Sequence, residues 1–162
     1  DLEDLSIELR DIIARLREET REDLNLKTQI SEMLSEMELH HPQIETDTNL
    51  DDSAIDKLHD EQKIVLLSVF KRAVDNVVQH AQASQLTIQV NDHGETVQFA
   101  IRDNGVGCTP GDWQDAHISQ HFGLFLMKQD TEELLNGRFS FISIPGEGTL
   151  VQGEFNPGAH LA

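Results

Sequence analysis

From Glu61 to Gln82 the apolar residues Leu66, Phe70, Ala73, Val74, Val77 and Ala81 recur at helical spacing. Directly afterwards the period changes to two. Leu86, Ile88 and Val90 alternate with polar residues, Asn91 to Gly94 supplies turn chemistry, and Val97, Phe99 and Ile101 alternate back. A helix with one apolar stripe, followed by a hairpin with one apolar face, buries both by lying across the sheet. The helix also has a second, polar face. Ser68, Arg72, Asn76 and Gln79 fall together on it, at steps of four, four and three.

The remaining segments extend the same two layers. Leu24, Leu26, Ile30, Met33, Leu34 and Met37 predict an earlier helix, and His40 to Asp52 predicts one short strand plus a loop. Cys108 to His121 is loop-like, and Gly123 to Asn136 predicts a helix stopped by Gly137. Two strands close the unit, Phe139 to Ile144 and Leu150 to Phe155, joined by the turn Pro145-Gly146-Glu147-Gly148. The tail from Asn156 is expected to fray. At the other end Leu2, Leu5, Leu9, Ile12 and Leu16 form a coiled-coil seam, which implies a partner helix. The chain starts in mid-helix, as a piece of something larger would. The expected fold class is α+β, a two-layer α/β sandwich with an antiparallel or mixed sheet behind an N-terminal helix.

Composition narrows the function. The 162 residues carry a formal net charge of -18, which argues against nucleic-acid and anionic-membrane partners, because phosphate contacts need clustered Lys and Arg. The single Cys108 excludes an internal disulfide and fits a reducing compartment. No apolar run is long enough to span a bilayer and no signal peptide is visible, so a cytoplasmic location is expected. Seven of the eight histidines (40, 41, 80, 93, 117, 121 and 160) show no metal-like spacing beyond the adjacent His40-His41 pair. Trp113 reads as a loop residue packed on its own domain.

The candidate chemistry lies between the elements. Asp103-Asn104-Gly105-Val106-Gly107 leaves the end of an alternating strand for a loop, where an acid can accept from an exocyclic amine and glycines let backbone approach a flat ligand. Alone, that spacing also marks ordinary acidic turns. Asn76 offers a carbonyl oxygen to a hard cation such as Mg²⁺. His121-Phe122-Gly123-Leu124 is expected at a helix N-terminus, where free amides meet phosphate. Thr149 begins a strand, where its hydroxyl can support Asp103 or a bridging water.

In this order the motifs resemble those of the GHKL ATPase superfamily. Phe70 through Ser84 looks like its N box, Ile101 to Gly107 its G1 box, His121-Phe122-Gly123-Leu124 its G2 box, and Gly146-Glu147-Gly148-Thr149-Leu150-Val151 its closing glycine–threonine motif. The His80-Ala81-x-Ala83-Ser84 ending resembles the sensor histidine kinases of the nitrate-sensor and desaturase-sensor type. The resemblance covers nearly the whole chain.

It implies a Bergerat ATP-binding fold over 21–156, preceded at 1–20 by the second helix of a dimerisation and phosphotransfer hairpin and followed by a tail at 157–162. It implies ATP and Mg²⁺ as cofactors. Asp103 would bind the adenine N6, Asn76 would coordinate Mg²⁺, and Gly105, Gly107, Gly123 and Leu124 would frame the lid. Thr149 would sit near the adenine, with Gln79 and His80 also at the nucleotide. The implied activity is that of a protein-histidine kinase, an ATP-dependent phosphotransferase. The implied partners are a second copy through the hairpin and a response regulator, with no nucleic acid and no membrane contact from this stretch.

Two features depart from that pattern. Arg72 stands where the family usually has Glu, and a guanidinium cannot act as a base at neutral pH. It can instead contact a phosphate oxygen, and Gln79 occupies a usually basic place. Phe125 and Leu126 replace smaller residues, which implies a bulkier lid hinge. A nucleotide-binding regulatory module with weak phosphotransfer is therefore the alternative. An anti-sigma-factor-like kinase fits less well, because those lack the hairpin. Leu58-His59-Asp60-Glu61-Gln62 superficially resembles a phosphoacceptor motif, but it precedes the N-box helix, and Asp60 and Glu61 read better as a helix start. The acceptor histidine would then lie upstream of Asp1.

Overall fold

A computed structural model describes residues 8–12, 25–107 and 118–159, leaving aside the side chains of 80, 81, 118–122 and 159. Of the N-terminal seam, residues 8–12 are helical, with Leu9 buried and Ile12 exposed; Leu2, Leu5 and Leu16 lie outside the described residues. The body begins with α1 (Leu26–His40), β1 (Glu45–Leu50) and the short α2 (Asp52–Asp56). Then come α3 (Asp60–Asn76, continued by a π-turn at Val77–Ala81), β2 (Gln85–His93) and β3 (Thr96–Asp103). The last part holds α4 (Ile118–Gln129, continued by a π-turn at Asp130–Leu134), β4 (Arg138–Ile144) and β5 (Gly148–Phe155).

The strands make one mixed sheet in the order β1-β2-β3-β5-β4, and only the β1–β2 pairing is parallel. Parallel neighbours need a crossover, which α2 and α3 supply. The sequence predicts β1 but not its direction or α2. β1 carries almost no apolar residue and lies at the sheet's edge, where a polar strand is tolerated.

The helical stripe behaves as its spacing predicts. Leu66, Phe70, Ala73, Val74 and Val77 are buried, and so are Val97, Phe99 and Ile101 opposite them. The Phe99 ring lies between Phe70, at a centroid distance of 5.9 Å, and Phe155, at 6.4 Å. Gly153 leaves room for it, since a Cβ there would overlap the Phe99 ring. In α1, Leu26, Ile30, Leu34 and Met37 are buried as predicted.

Three boundaries differ from expectation, while the end of α4 agrees with it. The hairpin turn falls at Gly94-Glu95, because β2 stays paired through His93 and Gly94 alone takes a positive φ, +83°. α4 opens at Ile118 rather than Gly123. Its end is set by Asn136 at φ +53°, just before Gly137, whose amide donates to the Thr131 carbonyl. The tail is tied down as far as Ala159: Pro157–Ala159 form a 3₁₀ turn, and Pro157 is buried. The buried Gln62 donates to the Pro157 carbonyl at 3.2 Å and accepts from the His59 amide at 2.8 Å. The latter contact caps α3, so His59 serves at a helix start beside Asp60 and Glu61.

Candidate functional site

The sheet register brings one row of residues together at the end of the helix-covered face: Leu86, Asp103, Thr149 and Ser143. Asp103 is 7% exposed. Burial pushes its carboxyl above the usual carboxylate range, while backbone amides of Gly105 and Thr149 pull it back by donating to it, the first at 2.8 Å. Thr149 thus supports Asp103 with its backbone amide, whereas its hydroxyl lies 2.9 Å from that of Ser143. The hydroxyl, expected to support Asp103 or a bridging water, pairs with Ser143 instead, and the backbone amide is the Thr149 group that meets the Asp103 carboxyl.

The loop after Asp103 is locked on both sides. The Asn104 side-chain oxygen accepts from the amides of Ser84 and Gln85, at 2.9 and 2.8 Å, and its amide nitrogen donates to the Ser84 hydroxyl at 2.9 Å. One side chain therefore joins the end of the N-box segment to the start of the G1 loop. On the other side, the Gly146 amide donates to the Val106 carbonyl at 2.7 Å. Gly107 and Gly148 have φ of +63° and +109°, and a Cβ at either would overlap backbone, that of Ile144 or of Asp103. Both glycines are required by backbone packed on backbone, before any ligand is considered.

Above this floor stand two helices. Asn76, half-buried, is the last residue of α3 before the π-turn. A Cβ on Gly123 would lie 3.7 Å from the Asn76 side-chain oxygen, so the fold brings the N-box amide to the G2 glycine. Gly123 lies within the second turn of α4, and the expected placement of His121–Leu124 at a helix N-terminus is corrected, because the helical spacing continues back to Ile118. Leu124 is buried in the core. Gln79 is exposed, on the π-turn that follows Asn76. The hinge residues fall on α4, with Leu126 buried and Phe125 exposed. The side chains of His80, His121 and Phe122 and the loop 108–117, with Cys108 and Trp113, lie outside the described residues.

Arg72 is half-buried one turn before Asn76, and its Nε is buried without a hydrogen-bond partner. Across the seam, Asp130 is 2% exposed, with Oδ2 likewise unpartnered. Burial pushes the Asp130 carboxyl up to about 7; the Arg72 charge lowers it and Glu133 raises it. Asp130 carried a signal the motif reading passed over: it lies three residues after Met127 on the apolar stripe of α4.

The donor set suits a nucleotide with its metal. Asp103 offers a buried acceptor to an amine. Asn76 offers one hard oxygen, which is enough for Mg²⁺ when phosphates and water complete its shell. Among the described residues no three His, Cys, Asp or Glu cluster as an independent metal site. A groove of about 420 Å³ on the open face reaches the same sheet end, lined by Thr87, Arg102, Ile142 and Leu150. Asp103 and Thr149 of the row described above also line it.

Comparison with known proteins shows the family and the fold. Residues 61–157 match the model of the histidine kinase-, DNA gyrase B- and HSP90-like ATPases, and the chain belongs to this family. It is 34% identical over 128 residues to the signal transduction histidine-protein kinase/phosphatase UhpB of Salmonella typhimurium, covering 78% of this chain and 24% of that protein. It is 30% identical over 158 residues to the nitrate/nitrite sensor NarQ of Escherichia coli, covering 95% of this chain and 26% of that one. The chain thus spans about a quarter of the length of these two relatives. Among solved structures, the Acinetobacter baumannii histidine kinase AdeS superposes with a TM-score of 0.60 at 18% identity, over 96% of this chain and 79% of that one. The two-layer fold is therefore that of histidine kinase catalytic domains.

Proposed function

We propose that this chain is the ATP-binding catalytic domain of a two-component sensor histidine kinase, working in the cytoplasm. It would pass the ATP γ-phosphate to a histidine on a dimerisation hairpin, for relay to an aspartate of a response regulator. The observation that carries the reading is the buried Asp103, held by two backbone amides at the sheet end, together with the Asn76 side chain brought to Gly123 between the helices. Asp103 accepts a hydrogen bond from the adenine amine, Thr149 holds Asp103 in place through its amide, and Asn76 holds Mg²⁺ through its side-chain oxygen. Bound Mg²⁺ supplies charge neutralisation at the phosphates. The chain's own part is positioning, the main source of rate in phosphoryl transfer. Gly105, Gly107 and Gly123 shape the mouth of the site.

Arg72 favours a second reading, a nucleotide-binding regulatory module. It puts a fixed positive charge where a base or metal-orienting acid would stand. Calorimetric titration with Mg-ATP, repeated on Asp103→Asn, tests both readings: no binding by the parent would sink them together. Incubation with a supplied hairpin and labelled ATP separates them, because binding without transfer selects the regulatory module. Label on His59 would count against an acceptor on the hairpin.

A further inference from the structure

The seam between α3 and α4 holds two polar atoms that contradict ordinary packing. Buried donors and acceptors are nearly always paired, yet Arg72 Nε on α3 and Asp130 Oδ2 at the end of α4 are both buried and both unpartnered. One is a donor and one an acceptor, their charges are opposite, and each lies within the other's field. The other acid bearing on Asp130 is Glu133, which repels it, so Arg72 is the compensating charge. An uncompensated carboxylate on the apolar stripe of a helix would cost far more than the chain gains from it.

We infer that Asp130 is a positioning residue for Arg72: it draws the guanidinium to the α3–α4 seam and so shields the cation position at Asn76 from a fixed positive charge one turn away. The inference rests on the proposed ATP site and adds to it the means by which Arg72 is tolerated there. Four residues of helix span about 6 Å, less than the roughly 8 Å over which physiological salt screens charge. An unanchored Arg72 would therefore repel Mg²⁺ and attract phosphate directly. Held at the seam, it does neither strongly.

Two measurements test this. The first is a urea-denaturation cycle of Arg72→Met, Asp130→Asn and the double variant, without nucleotide. A coupled pair gives non-additive changes of about fivefold or more in the folding equilibrium; additive changes would overturn the pairing. The second is ATP affinity by calorimetry with and without Mg²⁺. Asp130→Asn should cut the enhancement by Mg²⁺ roughly tenfold, through stronger metal-free binding and weaker metal-bound binding. Asp130→Glu should retain the enhancement, and Asp130→Asn should lose its effect when Arg72 is already Met. An unchanged Mg²⁺ enhancement in Asp130→Asn would reduce the pair to scaffolding and refute the positioning role. A parent that binds no ATP would remove the metal-shielding half together with the proposed function, while the denaturation cycle would still decide the pair.

Discussion

The floor of the candidate site and the helix seam above it are built on opposite terms. At the floor, the Asp103 carboxyl meets backbone amides, Asn104 bridges two segments with three hydrogen bonds, and two glycines sit at positive φ against backbone. At the seam, Arg72 and Asp130 each keep a buried atom unpartnered. The floor is saturated, and so it fixes one geometry. The seam holds charge without closure, so its energy depends on protonation and on whatever charge arrives nearby. On the proposed function, the closed floor would hold the adenine end of the nucleotide still, while the open seam would respond to charge at the phosphate end.

The sharpest way to break this contrast is at the floor. Gly148→Ala should destabilise the fold by about 3 kcal/mol or more, because the added methyl meets Asp103 backbone at a strained φ. Gly146→Ala in the same turn has open space around its Cβ and only its φ of +79° against it, so urea unfolding should rank it well below. Equal losses would mean that steric closure is not what holds the floor.

The seam makes a pH prediction. The folded Asp130 holds its proton up to about 7, against 3.8 ordinarily, so between those values the folded state binds more protons than the unfolded one. Stability should therefore be greatest below about pH 4 as far as this group is concerned, and fall as pH rises to about 7. The slope is at most about 1.4 kcal/mol per pH unit. Arg72 pulls against that trend and Glu133 adds to it. Asp130→Asn should flatten this component of the profile in thermal melts. An unaltered profile would show that the seam is as closed as the floor.

Smaller effects sharpen the comparison further. Asp103→Asn should weaken ATP binding by roughly tenfold or more, by replacing a charged acceptor with a neutral one, while leaving the fold intact. Asn104→Ala should cost about 1–2 kcal/mol in urea unfolding, because its three contacts are to exposed partners that water can satisfy. If Asn104→Ala removed ATP binding outright, the bracket between the N-box and G1 segments would have to count as part of the binding surface.

Much of this was legible in the residues. The Leu66-to-Val77 stripe and the Val97–Ile101 alternation follow from how side chains project along a helix or strand, so period alone finds them. Asp103, Asn76 and Gly148 stood out through their order along the chain. The roles of Asn104 and Asp130 did not, because each depends on a partner 19 to 58 residues away that no local pattern names. The start of α4 was missed by five residues, since Gly123 resembles a boundary while helical spacing runs through it. The two π-turns left no sequence mark.

Periodicity and motif order were enough to determine the two layers, the family resemblance and the acid at the strand's end, because these depend on spacing along one chain. Only the tertiary structure decided that β1 joins in parallel, that Thr149 serves Asp103 by its amide, and that Arg72 faces an acid. Those outcomes are set by which segments meet, and register, burial and the field between two helices exist only once they have met.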